Sequence, residues 1–432
     1  MSKELDGSIS RRDFLTAGAA AATVITAFPF VKSAHAQASK KRLKIGLVGC
    51  GGRGTGAAAN AITADPGNVE LVAMADLGMD RIDQSIKALR EDKDLQGELQ
   101  KMINVPKENM FVGMDSYQKV LQADIDYVIL TTPPAFRPLH MEAAVKAGKH
   151  MFAEKPLATD PVGCRKARAA AEAAKSKGLS IVVGLNARHE TAVMETVDQI
   201  HKGALGKIVS GQILRMGGGL WHRGNNPAWT PMEYQCRNWY YFCWLSGDQI
   251  VEMVVHQIDL MNWVLGATPV SALAQGGRQQ RTDPKYGNIW DNMSVYYEYP
   301  NDVQVHLMCR QWENCDNASS NLVFGTKGMS DSRERIRGEV NWRFRGQNTN
   351  ATVYEHNVLI DSIRKGAARN DALDFAVDST LTAVMGRESA YTGKKITWDE
   401  ISKSTLSLVP EKLAFGPAPQ RAVAIPGQPR PL

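Results

Sequence analysis

From residue 43 the chain alternates short apolar runs with amphipathic stretches. The runs at 43–48, 69–75, 127–130, 150–153 and 181–184 read as strands, and the stretches at 137–147 and 161–177 carry apolar residues at helical spacing. That rhythm predicts βαβ units and a doubly wound parallel sheet. The charged insert at 91–109 predicts an exposed helical excursion.

After Asn186 the rhythm changes. Residues 208–214, 294–299, 303–310 and 321–324 read as strands, separated by turn signals such as Pro300-Asn301-Asp302 and Gly325-Thr326-Lys327-Gly328. Strands that pair locally make a mostly antiparallel sheet, here with an embedded helix at 249–265. Helical patterns return at 355–365 and 371–391, and the final stretch, 409–432, carries six prolines and predicts an extended arm. The expected class is α/β: a first domain at 41–186 and an α+β domain at 187–408 for substrate and subunit contacts.

Composition narrows the partners. A chain of 432 residues with a net charge of +6 and no long basic run has no nucleic-acid footprint. The first 36 residues read as an export signal: Ser10-Arg11-Arg12-Asp13-Phe14-Leu15, then an Ala-rich apolar stretch, then Ala34-His35-Ala36. This twin-arginine pattern predicts a periplasmic protein whose partner is the twin-arginine export machinery. Gly18, Pro29 and the short apolar length argue against a retained membrane span. None of the six cysteines forms a Cys-x-x-Cys pair, and export after folding makes obligatory disulfides unexpected.

A glycine-rich turn follows the first strand: Gly49, Gly51, Gly52, Arg53 and Gly54, before a helical stretch ending near Thr63. In that context the first glycine makes the turn, the second admits a pyrophosphate and the third lets helix and strand pack closely. Asp76 ends the second strand, where a carboxylate accepts from both ribose hydroxyls and repels a 2′-phosphate, so NAD is expected over NADP. Thr132 and Pro133 follow the strand at 127–130, and with His140, Glu154 and Lys155 they complete the expected cofactor-binding set.

Glu252, His256 and Asp259 are spaced to share one helix face. An imidazole can take a hydroxyl proton, a carboxylate can orient it, and an ammonium can stabilise a developing alkoxide. Lys155, Glu252 and His256 supply those parts. No second histidine sits at ligand spacing, so no metal is expected. An aromatic-rich loop holds Trp221, His222, Tyr234, Arg237 and Trp239, suited to stacking on a sugar and bonding its hydroxyls; Arg188 and Asp259 join them as expected substrate contacts.

The stretches Lys44-Ile45-Gly46-Leu47-Val48-Gly49-Cys50-Gly51-Gly52-Arg53-Gly54, Glu154-Lys155-Pro156 and His256-Gln257-Ile258-Asp259-Leu260 resemble the Gfo/Idh/MocA oxidoreductases, from about Lys41 to Asp399. The resemblance implies a Rossmann domain, an open mixed sheet used in homodimer or homotetramer contacts, and catalysis by Lys155, Glu252 and His256, with Glu252 standing where Asp is commoner. It also implies redox chemistry on a sugar or polyol. Export implies a bound, recycled cofactor, hence either hydride transfer between sugars or a redox-neutral glycoside cleavage. A non-catalytic sugar or dinucleotide sensor would have no use for the proton relay.

Overall fold

The computed structural model describes residues 41–430; the expected export signal lies outside the described residues. Six parallel strands form the first sheet: β1 (Leu43–Val48), β2 (Val69–Asp76), β3 (Met110–Val112), β4 (Tyr127–Leu130), β5 (His150–Ala153) and β6 (Ile181–Val183). Their order is β3-β2-β1-β4-β5-β6. Ile45, Leu47, Val128, Phe152 and Val182 have no exposed surface, as strands covered by helices on both faces require. The order reverses between β1 and β4, which opens a crevice at the carboxyl ends of the strands.

Two details of this half depart from expectation. β3 is a further edge strand, and the insert before it forms two 3-10 turns, Gly97–Met102 and Lys107–Asn109, rather than a helix. Gly97 and Pro106 interrupt helical propagation there. Buried Met102 and Ile103 and a bond from Asn104 N–H to Leu71 O at 3.0 Å pull the insert against β2 instead.

The second sheet has nine strands: β7 (Ile208–Gly217), β8 (Ser271–Gly277), β9 (Asn292–Glu298), β10 (Gln304–Gln311), β11 (Ala318–Gly325), β12 (Gly328–Ser330), β13 (Arg335–Gly338), β14 (Trp342–Arg343) and β15 (Ile396–Thr397). Only the β7–β10 pair is parallel. Along β10, Val305, Leu307 and Cys309 are buried while Gln304, His306 and Met308 are exposed, the period of a sheet with one covered face. Helices Val255–Leu265 and Val377–Thr392 cover the inner face.

Helix Ala351–Lys365 returns to the first domain and packs on helix Gly52–Ala64, tied by an Arg364–Asp65 ion pair at 2.6 Å. The single helix expected at 249–265 is two pieces, Gln249–Glu252 and Val255–Leu265. The proline-rich arm folds onto its own chain: Gly416 O accepts from Met232 N–H at 3.0 Å, Pro419 O accepts from Gln235 Nε2 at 2.8 Å, and Arg430 pairs with Glu388 at 3.1 Å. Among the described residues no helix is long and apolar enough to cross a membrane.

Candidate active site

The glycine turn has the geometry of a phosphate cradle. Gly49 sits at φ +98°, a left-handed conformation that favours glycine, and a Cβ there would lie 2.7 Å from Thr132 N. A Cβ on Gly54 would strike the carbonyl oxygen of Gly49. At Gly51 and Gly52, by contrast, a Cβ would meet nothing within 4 Å. That open space faces the N-terminus of helix Gly52–Ala64, where unbonded N–H groups favour a pyrophosphate.

Asp76 closes the ribose end. Its carboxylate accepts from Cys50 N–H and from Leu77 N–H, each at 2.6 Å, which fixes it with further lone pairs to spare. Burial pushes its carboxyl above the ordinary range against the pull of those two donors. A cavity of 310 Å³ runs past Gly51, Asp76, Thr132 and Pro133 to His140. These residues fit a dinucleotide.

At the far wall, buried Arg137 donates to Leu130 O and Thr132 O, each at 2.7 Å, and so holds the end of β4. His140 Nδ1 lies 3.1 Å from Thr132 Oγ1, with the ring between Tyr117 and Phe136. Burial, with a smaller push from Arg137, drives the imidazole down to about 3. The ring is therefore a neutral wall of the crevice.

Lys155 follows β5 at the same sheet edge. Its Nζ donates to Glu252 Oε1 at 2.9 Å and to Glu252 O at 2.6 Å. The relay expected from the spacing is thereby rearranged: Glu252 orients the ammonium, not the imidazole. The cause is the break at Met253 and Val254, which ends one helical piece at Glu252 and leaves its carbonyl oxygen available to Lys155. His256 starts the next piece, fully buried at Nδ1 with no partner there. Burial first, then the charges of Lys155, Arg215, Arg333 and Arg53, hold its imidazole well below the ordinary value. A neutral imidazole beside a carboxylate-held ammonium can accept a proton while the ammonium stabilises an oxyanion.

Arg53 links the glycine turn to this centre. Its Nε donates to Glu154 Oε1 at 2.5 Å and its Nη2 to Glu355 Oε1 at 3.0 Å. Sequence reasoning missed Glu355, a fully buried acid on helix Ala351–Lys365 whose carboxyl burial pushes well up. The available signal was an acid on the apolar face of an amphipathic helix; its partner lies 302 positions away.

The expected substrate contacts are placed differently. Asp259 is 1% exposed, with both carboxylate oxygens taken by Arg188 at 2.8 and 2.9 Å and one also by Ser379 at 2.8 Å. Arg188 in turn lies over the Phe375 ring at 3.7 Å. The Arg188–Asp259 pair lies within the second domain, with both oxygens of Asp259 engaged; Asp259 makes no bond to Glu252 or His256. Trp221, Arg237 and Trp239 line the nucleotide cavity itself, with Arg223, so this loop roofs the crevice rather than forming a separate sugar shelf. Arg237 pairs with Asp80 at 2.8 and 3.0 Å and with Glu233 at 2.9 Å. His222 and Tyr234 contact each other at 3.4 Å behind the roof. Among the described residues no group of three His, Cys, Asp or Glu could hold a metal ion.

A parallel nucleotide sheet, a glycine cradle and a lysine at its edge, facing a second domain built on an open sheet, define a dinucleotide-dependent oxidoreductase. Residues 43–185 match the oxidoreductase family with an NAD-binding Rossmann fold, and residues 193–331 match the Gfo/Idh/MocA C-terminal domain. The chain belongs to the Gfo/Idh/MocA oxidoreductase family, and its first domain is that family's NAD-binding Rossmann fold. It is 27% identical to inositol 2-dehydrogenase 3 of Saccharopolyspora erythraea over 57% of this chain and 69% of that one. It is 26% identical to 2,7-anhydro-N-acetylneuraminate hydratase of Escherichia coli over 61% of this chain and 66% of that one. The fold matches scyllo-inositol dehydrogenase from Lactobacillus casei with bound NAD(H) and scyllo-inositol, at TM-score 0.61 and 19% identity over 83% of this chain and 99% of that one.

Proposed function

We propose that the protein oxidises a secondary alcohol of a sugar or polyol, with NAD retained in the crevice and recycled by passing its hydride on to the carbonyl of a second sugar. The observation that carries this reading is the bonding of Lys155 Nζ to both Glu252 Oε1, at 2.9 Å, and Glu252 O, at 2.6 Å, beside a neutral, half-buried His256 whose Nδ1 is out of solvent. When bound, NAD supplies the hydride acceptor. His256 takes the hydroxyl proton as the hydride leaves the same carbon, and Lys155 steadies the oxygen as its negative charge grows. Glu252 keeps the ammonium aimed. Arg53, braced by Glu154 and Glu355, holds the turn beneath the cofactor.

Retention is supported by the roof of Trp221, Arg223, Arg237 and Trp239 over the cavity. A retained cofactor also suits the second reading, a redox-neutral glycoside cleavage in which the hydride returns at the end of each cycle; a hydratase among the relatives favours keeping it. Twin-arginine export to the periplasm is part of the proposal. Fractionation of cells expressing the full chain with Arg11→Lys and Arg12→Lys tests it: the variant should stay in the cytoplasm, and unchanged export would refute the signal.

The chemistry is tested by purifying the protein and looking for co-purified nicotinamide absorbance. A panel of free sugars and aryl glycosides is then offered. Net cofactor reduction supports the dehydrogenase reading, and glycone release without net reduction supports the second. Neither product with any substrate would refute both.

A further inference from the structure

On β7 the side chains of Gly211, Ile213 and Arg215 share one face by strand periodicity. That face is the inner one: a Cβ on Gly211 would meet Met261 of helix Val255–Leu265 at 2.9 Å, and Ile213 is buried. Arg215 therefore points beneath the start of the helix that carries His256. In register beside it stand Cys309 of β10 and Ser319 of β11. Ser319 Oγ accepts from the side chain of Gln257, the residue next to His256, at 3.3 Å.

The cations around His256 can be paired off one by one. Lys155 is matched by Glu252, Arg53 by Glu154 and Glu355, and Arg333 by Glu190 at 3.2 Å. Arg215 is left over. It is half-buried and makes no ion pair or side-chain hydrogen bond among the described residues. A partly desolvated guanidinium is costly unless an anion meets it, and its planar fork matches a carboxylate in two parallel bonds.

Resting on the sugar-oxidoreductase reading above, we propose that the substrate is an acidic sugar of the uronic acid type, whose carboxylate is received by Arg215. One unmatched positive charge calls for a monoanion, so a carboxylate fits better than a dianionic phosphate ester. The same contact would offset one of the charges that hold the His256 imidazole down, and so would ready it to accept the hydroxyl proton.

The test is calorimetric titration of the NADH-loaded protein, which has no hydride acceptor for a sugar alcohol, with D-glucuronate, D-glucose, D-galacturonate, D-galactose and glucose 6-phosphate, alongside Arg215→Gln and Arg215→Lys. Each acid should bind roughly 10- to 100-fold tighter than its neutral counterpart, as a charge-assisted bond gives. Arg215→Gln should collapse that ratio and Arg215→Lys should restore part of it. Equal affinity for acid and neutral sugars, binding of none, tightest binding of the phosphate ester, or a ratio unmoved in Arg215→Gln would each overturn the proposal. Because binding is read without turnover, a protein that prefers uronates yet neither reduces its cofactor nor cleaves glycosides would uphold this inference while sinking the reading it rests on.

Discussion

The two walls of the active site are built in opposite ways. The nucleotide wall is local: Gly49, Gly51, Gly52 and Gly54 lie within six consecutive residues, and Asp76, Thr132 and Lys155 each follow or end a strand of one parallel sheet. The opposite side gathers Glu252 from the end of one helical piece and His256 from the next, while Glu355 reaches Arg53 from a helix that crosses back to the first domain. The first wall depends on backbone geometry that few residues can adopt. The second depends on ion pairs between distant segments, Lys155 with Glu252 and Arg53 with Glu355.

Lys155 belongs to the first wall by sequence and to the second by its bonds, so removing it separates the two most sharply. Lys155→Met should lose about 10²- to 10⁴-fold in kcat while keeping bound NAD. Cofactor absorbance and single-turnover rates on the same preparation would decide it; undiminished turnover takes Lys155 out of the mechanism. Asp76→Ala probes the nucleotide wall alone. Its loss removes a charged acceptor for the ribose hydroxyls, and the preference for NAD over NADP should fall by roughly 10- to 100-fold. An unmoved ratio of dissociation constants would show that Asp76 serves only the N–H groups of Cys50 and Leu77.

This asymmetry explains what was legible in the sequence. Strands β1, β2, β4, β5 and β6 could be read because each is an apolar run with turn chemistry at its ends, and the glycine spacing could be read because only glycine tolerates the cradle. The helix break after Glu252 left no trace, since Glu-Met-Val-Val-His contains neither glycine nor proline to mark it. The aromatic loop was visible as composition, but rings beside arginines do not say which side of a crevice they cover. Asp259 was misplaced for a related reason, since helical spacing puts it near His256 without revealing that Arg188 already holds it. The short strands β3, β12, β13, β14 and β15 carry two to four residues each, too few for a period to show.

A smaller effect tests the rigidity of the nucleotide wall. His140 is held neutral with its value near 3, far below the roughly 6.5 of an unfolded histidine. As pH falls below 6.5, the unfolded chain binds a proton that the folded chain refuses, so this residue's contribution to stability is whole above that pH and declines toward pH 3. Between pH 7 and 5 the wild type should lose about 2 kcal/mol more than His140→Asn. Urea unfolding of both proteins at the two pH values measures it, and parallel losses would mean that the ring is protonated in the fold.

The smallest expected effect bears on how the two walls meet. Arg237 comes from the roof and grips Asp80, four residues past the end of β2, through two bonds at 2.8 and 3.0 Å, while its guanidinium lies 4.8 Å from the centre of the Trp229 ring. Asp80's side chain is 48% exposed, so solvent screens the pair and its worth is about 1 kcal/mol. Arg237→Ala should accordingly speed NAD release by roughly five-fold, with kcat little changed, because no reacting atom touches this residue. Release is followed by stopped-flow chase of bound NADH fluorescence. The effect should shrink in high salt, which weakens an exposed ion pair but leaves ring packing intact. An acceleration that ignores salt would assign retention to Trp221, Trp229 and Trp239 instead, and no acceleration at all would mean that the cofactor leaves by a path that does not pass the roof.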